Sequence, residues 1–132
     1  MSNATINATL SYSPPSASAV TSAFSVLSSY TAIEVGTLDI PDTTVAATSF
    51  PLDFGTIGTN GKLLVIKNRN NQDMGVRLNG AVADNFSLAP SGLMMISNPA
   101  DPTTGAVLTS CAVTTTDVQA GVGLLDYWVF GI

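Results

Sequence analysis

Alternation of apolar and polar residues runs through this chain and predicts β-strands. At the N-terminus every second position over residues 4–12 is large or apolar, and serine, threonine and asparagine lie between: Ile6, Ala8, Leu10 and Tyr12. A period of two is typical of a half-buried strand, or of an arm that becomes a strand on a neighbouring molecule. Pro14-Pro15 ends the segment, because prolines donate no backbone hydrogen bonds. We therefore predict an extended N-terminal arm over residues 1–15.

The rest of the chain reads as short strands separated by turns. We predict strands at residues 37–40, 44–52, 62–68, 74–79, 82–88, 93–96, 107–115 and 121–132. The clearest is 62–68, a short apolar run bounded by turn residues, as in a buried core strand. Turn signals such as Asn79-Gly80 separate the strands at the spacing typical of sandwiches. The predicted fold is all-β: a single antiparallel β-sandwich or jelly-roll-like domain over residues 16–132.

Two segments are less well defined by the pattern. Residues 16–35 allow a short helix, with Ala17, Val20, Phe24 and Leu27 on one face, and equally a strand; from Tyr30 onward β-branched residues favour a strand. Residues 98–105 contain two prolines and predict a loop.

Composition supports the β prediction and limits the surface charge. Charged residues make up 10% of the chain, against about 25% in typical soluble domains. Glu34 is the single glutamate, so the residues that normally cover the solvent face of helices are scarce. A polar but nearly uncharged exterior suits a protein packed against other subunits, although a composition adapted to a particular environment explains it equally well.

The sequence offers little catalytic or metal-binding machinery. There is no histidine, which excludes Ser-His-Asp triads and imidazole ligands, and the nine acidic residues are spread singly along the chain. We predict Cys111 to be a buried structural thiol within an apolar strand. The polar segment 68–73 resembles a calcium loop only in composition, since the glycine and final glutamate are missing. We expect no enzymatic activity and no cofactor.

Charge placement allows one binding hypothesis. The net charge is −5, which disfavours general nucleic-acid binding. The basic residues Lys67, Arg69 and Arg77 could form a patch that docks on an acidic neighbour, or could be separate solvent-facing charges. Together with Ile6 and Leu10 of the arm they are our predicted partner contacts. No apolar stretch is long enough to span a membrane, and no signal-peptide pattern begins the chain, so we expect assembly in a cytoplasm.

Four segments resemble small structural proteins of tailed bacteriophages: GTLDIPDTT (36–44), FGTIGTNGKLLVIKNRNNQDMGVRLNG (54–80), FSLAPSGLMMI (86–96) and LLDYWVFGI (124–132). In proteins of this type a strand ending in IKN leads through a polar loop to a second strand ending in NG, and an aromatic-rich strand closes the domain. The resemblance covers roughly the last two-thirds of the chain. The order of these segments is similar to the layout of capsid decoration, cement, head-fibre and tail-tip proteins with sandwich folds.

The resemblance implies a virion protein that decorates or cements the capsid at junctions between major capsid protein subunits, as a homo-oligomer such as a trimer. A tail, neck or tail-tip location is the first alternative. A carbohydrate- or receptor-binding module is the second, in which Trp128, Tyr127 and Tyr30 would stack on sugars. We expect Trp128 to be largely buried in the last strand, which counts against that module.

Overall fold

The structure is a computed structural model that describes residues 2–12, 18, 20–97 and 108–132. The described residues form an all-β sandwich, as predicted, with ten strands and one 3-10 turn at Gly55–Ile57. The strands are β1 Ser2–Tyr12, β2 Val20–Tyr30, β3 Ala32–Ile40, β4 Ser49–Pro51, β5 Gly61–Asn68, β6 Met74–Leu78, β7 Phe86–Leu88, β8 Leu93–Ser97, β9 Cys111–Thr115 and β10 Gly123–Gly131. The predicted loop 98–105 lies outside the described residues.

Strands β1 and β2 form a separate two-stranded antiparallel hairpin. They pair along their whole length, from Ser2 opposite Tyr30 to Tyr12 opposite Val20. Within the ambiguous region, residues 20–30 therefore form a strand and not a helix. The pairing divides the chain at Thr31, whereas the sequence pattern placed the end of the arm near residue 15.

The remaining eight strands form two antiparallel sheets of four. The first sheet has the order β3-β10-β5-β8, and the second has the order β4-β9-β6-β7. The pairs are nested: β3 with β10, β4 with β9, β5 with β8 and β6 with β7. A long antiparallel hairpin that folds around its own axis gives this nesting, which is the jelly-roll topology. The structure thus has the jelly-roll form of the predicted sandwich.

The core lies between the two sheets, because successive side chains of a strand point to opposite faces. The inner positions of the first sheet include Leu64, Ile66, Leu125, Tyr127 and Val129, and those of the second include Met74, Val76, Leu88, Cys111 and Val113. Space for the Tyr127 ring comes from Gly36, its neighbour on β3: a Cβ atom there would lie 2.4 Å from the ring. Glycine at residue 36 is therefore a packing requirement of the core.

The predicted turn at Asn79-Gly80 is present. Both residues have positive φ, 55° and 75°, and the Ala81 amide donates to the Leu78 carbonyl at 3.0 Å. Positive φ at both central positions is the geometry that asparagine followed by glycine favours. This turn ends β6 and directs the chain back along the second sheet.

Candidate interaction surface

An apolar row crosses the outer face of the first sheet. The strand register places Trp128 beside Val35 on one side and Val65 on the other, and Val65 pairs in turn with Met95. These positions alternate with the core residues, so their side chains lie on the face away from the second sheet. Val35 is 54% exposed and Met95 37%, while Trp128 and Val65 are half-buried. We call these four residues the open row.

The neighbouring row on the same face is covered at Leu63, whereas Ile33 at its edge is 45% exposed. Leu63 lies on the outer face opposite Phe130, yet it is 0% exposed. Strand β2 of the hairpin contacts both β5 and β10, and the Tyr30 ring meets the Phe130 ring edge-on at 5.1 Å between centroids. The backbone amide of Thr31 donates to the Gly131 carbonyl at 2.9 Å and fixes the start of the hairpin there. The base of the hairpin therefore lies against this end of the sheet.

The row on the other side of the open row is polar and internally bonded. Asp126 accepts a hydrogen bond from the Thr37 hydroxyl at 2.8 Å and forms an ion pair with Arg69 at 3.1 Å. The Lys67 ammonium donates to the Ser91 carbonyl. The row ends at Leu93, which is 64% exposed and extends the apolar surface. The open row is thus bordered by charges that already have partners in the same chain.

The outer face of the second sheet is different in character. There the Asp84 carboxylate accepts hydrogen bonds from Arg77 Nε and from the Thr114 hydroxyl, both at 2.8 Å. The bond from Arg77 is the main cause that lowers the pKa of Asp84. A Cβ atom at Gly75 would lie 2.2 Å from Asp84 Oδ2, so the carboxylate sits directly over that backbone. Bonded polar side chains therefore occupy the part of this face over β6 and β9.

The structure distributes the predicted contact residues over different places. Lys67 and Arg69 border the open row on the first sheet, whereas Arg77 lies on the outer face of the second sheet. The three cations do not form one patch. Ile6 and Leu10 lie in β1, where the register pairs them with residues 26 and 22, and their side chains are outside the described part of the structure. Their role in binding a partner stays a prediction.

The three aromatic residues considered for sugar stacking also lie in different places in the fold. Tyr127 is an inner residue, 7% exposed, and burial raises the pKa of its hydroxyl. Tyr30 is engaged with Phe130. Trp128 lies on the outer face of the first sheet and is only partly exposed, which agrees with the expectation that most of its side chain is buried.

The rest of the described chain shows little reactive chemistry. No group of three or more histidine, cysteine, aspartate or glutamate residues that could hold a metal ion occurs within the described ranges. Burial raises the pKa of the Cys111 thiol to about 12. A shallow depression of about 240 Å³ beside β4 and β9 is lined by neutral residues and Arg77, with no carboxylate. In the described part of the chain, no helix has the length and apolar character needed to cross a bilayer.

The sequence did contain a signal for the open row that we did not use. Strand β5 is apolar at consecutive positions from Leu63 to Ile66, so both of its faces carry apolar side chains. Such runs are typical of strands that are covered on both sides. The second sheet covers one side of β5, and the open row marks the part of the other side that nothing in the described chain covers.

Comparisons with known proteins add no assignment to this geometry. No family model matches the chain, no curated protein matches it, and no solved structure matches it.

Proposed function

We propose that this protein is a non-enzymatic structural subunit of a tailed-phage virion that decorates or cements the capsid. In this proposal it binds major capsid protein at junctions between subunits, works as a homo-oligomer such as a trimer, and is assembled in the host cytoplasm. Its contribution is contact area across those junctions, which resists the pressure of packaged DNA. No cofactor, nucleic acid or membrane takes part.

The open row is the observation that carries the proposal. An apolar strip that includes Trp128, with bonded polar groups beside it, has the anatomy of a protein-binding surface with a hydrophobic centre and a polar rim. The outer face of the second sheet differs, since Asp84, Arg77 and Thr114 are bonded to one another there. A low surface charge, with 10% charged residues in the chain, agrees with a molecule that is surrounded by other subunits.

The topology is compatible with this role but does not select it. Jelly rolls occur in viral capsid proteins and also in lectins, and a fold alone does not determine a function. The choice of a virion rests on the resemblance of residues 36–132 to small phage structural proteins. The hairpin adds the second element that a cementing subunit needs, an extension that can reach a neighbour.

Binding to capsids that lack this protein tests the proposal. Purified wild-type protein, Val35→Lys and the matched control Ser87→Lys are each incubated with such capsids and separated by density-gradient sedimentation. We expect the wild type and Ser87→Lys to co-sediment, and Val35→Lys to bind at least tenfold more weakly because it places a charge in the open row. Failure of the wild type to bind heads, with binding to isolated tails, would move the protein to the neck or tail.

A carbohydrate-binding module is the second candidate, and the half-buried position of Trp128 on a sheet face favours it. Sugars stack on aromatic rings that have polar neighbours, and Asp126, Arg69 and Thr37 lie in the next row. Binding to a glycan array that is lost in Trp128→Ala would support this module over the capsid role. The aliphatic neighbours Val35, Val65 and Met95 make the protein partner the better supported choice.

A further inference from the structure

Two elements of this chain are structurally incomplete. The first is the open row, an apolar strip on the first sheet with no cover within the described residues. The second is the hairpin β1–β2, a sheet of only two strands, and such hairpins are marginally stable in water unless they pack on something else. Its register pairs apolar positions with one another: Ile6 with Val26 and Ala8 with Phe24. Both elements therefore have apolar positions along their strands for which the described residues show no complete cover.

Contact between the hairpin and this face already exists within one chain. Tyr30 packs edge-on against Phe130, and strand β2 contacts β5, where Leu63 is fully buried on the outer face. The open row is the next row along the same strands. A hairpin that covered it would therefore extend a contact of the same chemistry.

The chain's own hairpin does not reach the open row. It joins β3 through Thr31 alone and is fixed at the covered row by the bond from Thr31 to Gly131. Val35 stays 54% exposed and Leu93 64%. Each hairpin strand has 11 residues, which at about 3.3 Å per residue span about 36 Å, whereas the four strands of a sheet are about 14 Å across. A hairpin of this length that crossed the strands of a sheet would extend beyond its edge.

The hairpin also lacks charged side chains, which suits packing on an apolar surface. Residues 2–30 contain no aspartate, glutamate, lysine or arginine. Burying a charged group costs free energy. The hairpin has no charged group to bury when it covers the open row. On the sheet, Asp126 and Arg69 are already paired with each other at the border of the row.

We infer that the hairpin β1–β2 of one copy packs across the outer face of the first sheet of a second copy and covers the open row, with Val35, Trp128, Val65 and Met95 beneath it. Because the two surfaces are different, the contact closes either as a reciprocal exchange of hairpins between two copies or as a head-to-tail ring, and it extends as an open chain when neither closure is reached. This inference rests on the proposed function and deepens it, because it names the surfaces through which the homo-oligomer forms. The open row then contributes to capsid binding indirectly: it holds together the oligomer that binds, and Val35→Lys weakens capsid binding by that route. The inference needs no capsid, however, and is tested on the free protein.

Cross-linking between two different variants tests which chain supplies the hairpin. Ile6→Cys and Met95→Cys proteins are purified separately, mixed, and treated with a short bismaleimide; the native Cys111 is buried and contributes little background. We expect a cross-linked mixed dimer. The matched control pairs Ile6→Cys with Ser87→Cys, an exposed position on the second sheet, and should give at least tenfold less product.

Equal yields with Met95→Cys and Ser87→Cys would overturn the inference. So would an intramolecular cross-link in a monomeric Ile6→Cys/Met95→Cys double variant, since the hairpin would then cover its own sheet. Light scattering adds a second readout, in which Val35→Lys lowers the oligomer mass while its circular dichroism spectrum and melting temperature show that the fold is kept. Cross-linking without capsid binding would support the inference and reject the capsid role. Capsid binding without cross-linking would support the capsid role and reject the inference.

Discussion

Asn70 and Gln119 form a reciprocal pair of hydrogen bonds in the interior of the protein. Asn70 Nδ2 donates to Gln119 Oε1 at 2.7 Å, and Gln119 Nε2 donates to Asn70 Oδ1 at 2.9 Å. Both residues are buried, at 4% and 1% exposure. Next to them Asn68 donates to the carbonyls of Gln72 and Leu88 and accepts from the Asn70 amide. This network ties the polar segment 68–73 to the loop before β10, and its oxygens are engaged within the chain.

Replacing one partner of this pair should destabilise the fold. In Asn70→Ala the Gln119 amide stays buried without its main partner, which costs about 1–3 kcal/mol in the free energy of unfolding. Urea denaturation measures the loss. The double variant Asn70→Ala/Gln119→Ala should lose less than the sum of the two single variants, because the second substitution removes the unsatisfied group.

The exposed neighbour Asn71 supplies the control for this cycle. Its side chain donates to the Ala120 carbonyl at 3.3 Å on the surface, so Asn71→Ala should change the free energy of unfolding by no more than about 0.5 kcal/mol. Strictly additive losses at Asn70 and Gln119 would contradict the reciprocal pairing.

A methyl group at residue 75 should disrupt the outer face of the second sheet. The added Cβ would lie 2.2 Å from Asp84 Oδ2 and 2.3 Å from the Thr114 hydroxyl, so the carboxylate must move. We expect Gly75→Ala to lower the free energy of unfolding by about 1–3 kcal/mol, measured by thermal melting. In an Asp84→Ala background the same substitution should cost less; an unchanged cost would show that Asp84 is not the obstacle.

The stability of the fold should depend on pH through Asp84. Its pKa is lowered in the folded state, mainly by the bond from Arg77, so the ionised carboxylate stabilises the fold above the usual value of 3.8 and this contribution is lost as the pH falls through the lowered pKa. The difference in melting temperature between wild type and Asp84→Asn should therefore shrink under acid conditions. If the difference in melting temperature between the two proteins stays constant from neutral pH to a pH below the lowered pKa of Asp84, the carboxylate does not have this role.

Cys111 should resist alkylation in the folded protein. Burial raises the pKa of its thiol to about 12, and the thiolate is the reactive form. We expect iodoacetamide to modify the native chain at least a hundredfold more slowly than the chain in urea, followed by mass spectrometry at pH 8. Ser87→Cys, an exposed position on the second sheet, provides the reactive control. Similar rates in the native and unfolded states would place the thiol at the surface.

Much of the fold was predictable because the relevant signals are local. Strands β5 and β6 match the predicted 62–68 and 74–79 closely, since turn residues bound their apolar runs. The strand predicted at 82–88 pairs only over Phe86–Leu88, because Asp84 turns instead to bond Arg77 and Thr114 across the sheet. The pairing order depends on contacts between distant residues, which period and turn chemistry do not encode.

The candidate interaction surface was harder to predict than the fold. We predicted partner contacts at Lys67, Arg69, Arg77, Ile6 and Leu10. The three basic residues are bonded within the chain, and partner contacts of Ile6 and Leu10 stay a prediction. The open row consists of ordinary strand residues, which belong together only once the register places Val35, Trp128 and Met95 in line across three pairings. Sequence alternation defines which residues share a face of one strand, but it does not define which strands are neighbours.

Trp128 is the single tryptophan of the chain and lies in the middle of the open row, so its fluorescence reports directly on whether that row is covered. The decisive measurement is acrylamide quenching of Trp128 across a protein concentration series, for wild type and for Ile6→Asp, which places a charge in the hairpin. We predict that quenching of the wild type falls and its emission shifts to the blue as copies associate, while Ile6→Asp stays easily quenched. Quenching that is the same at every concentration and in both proteins would contradict the account.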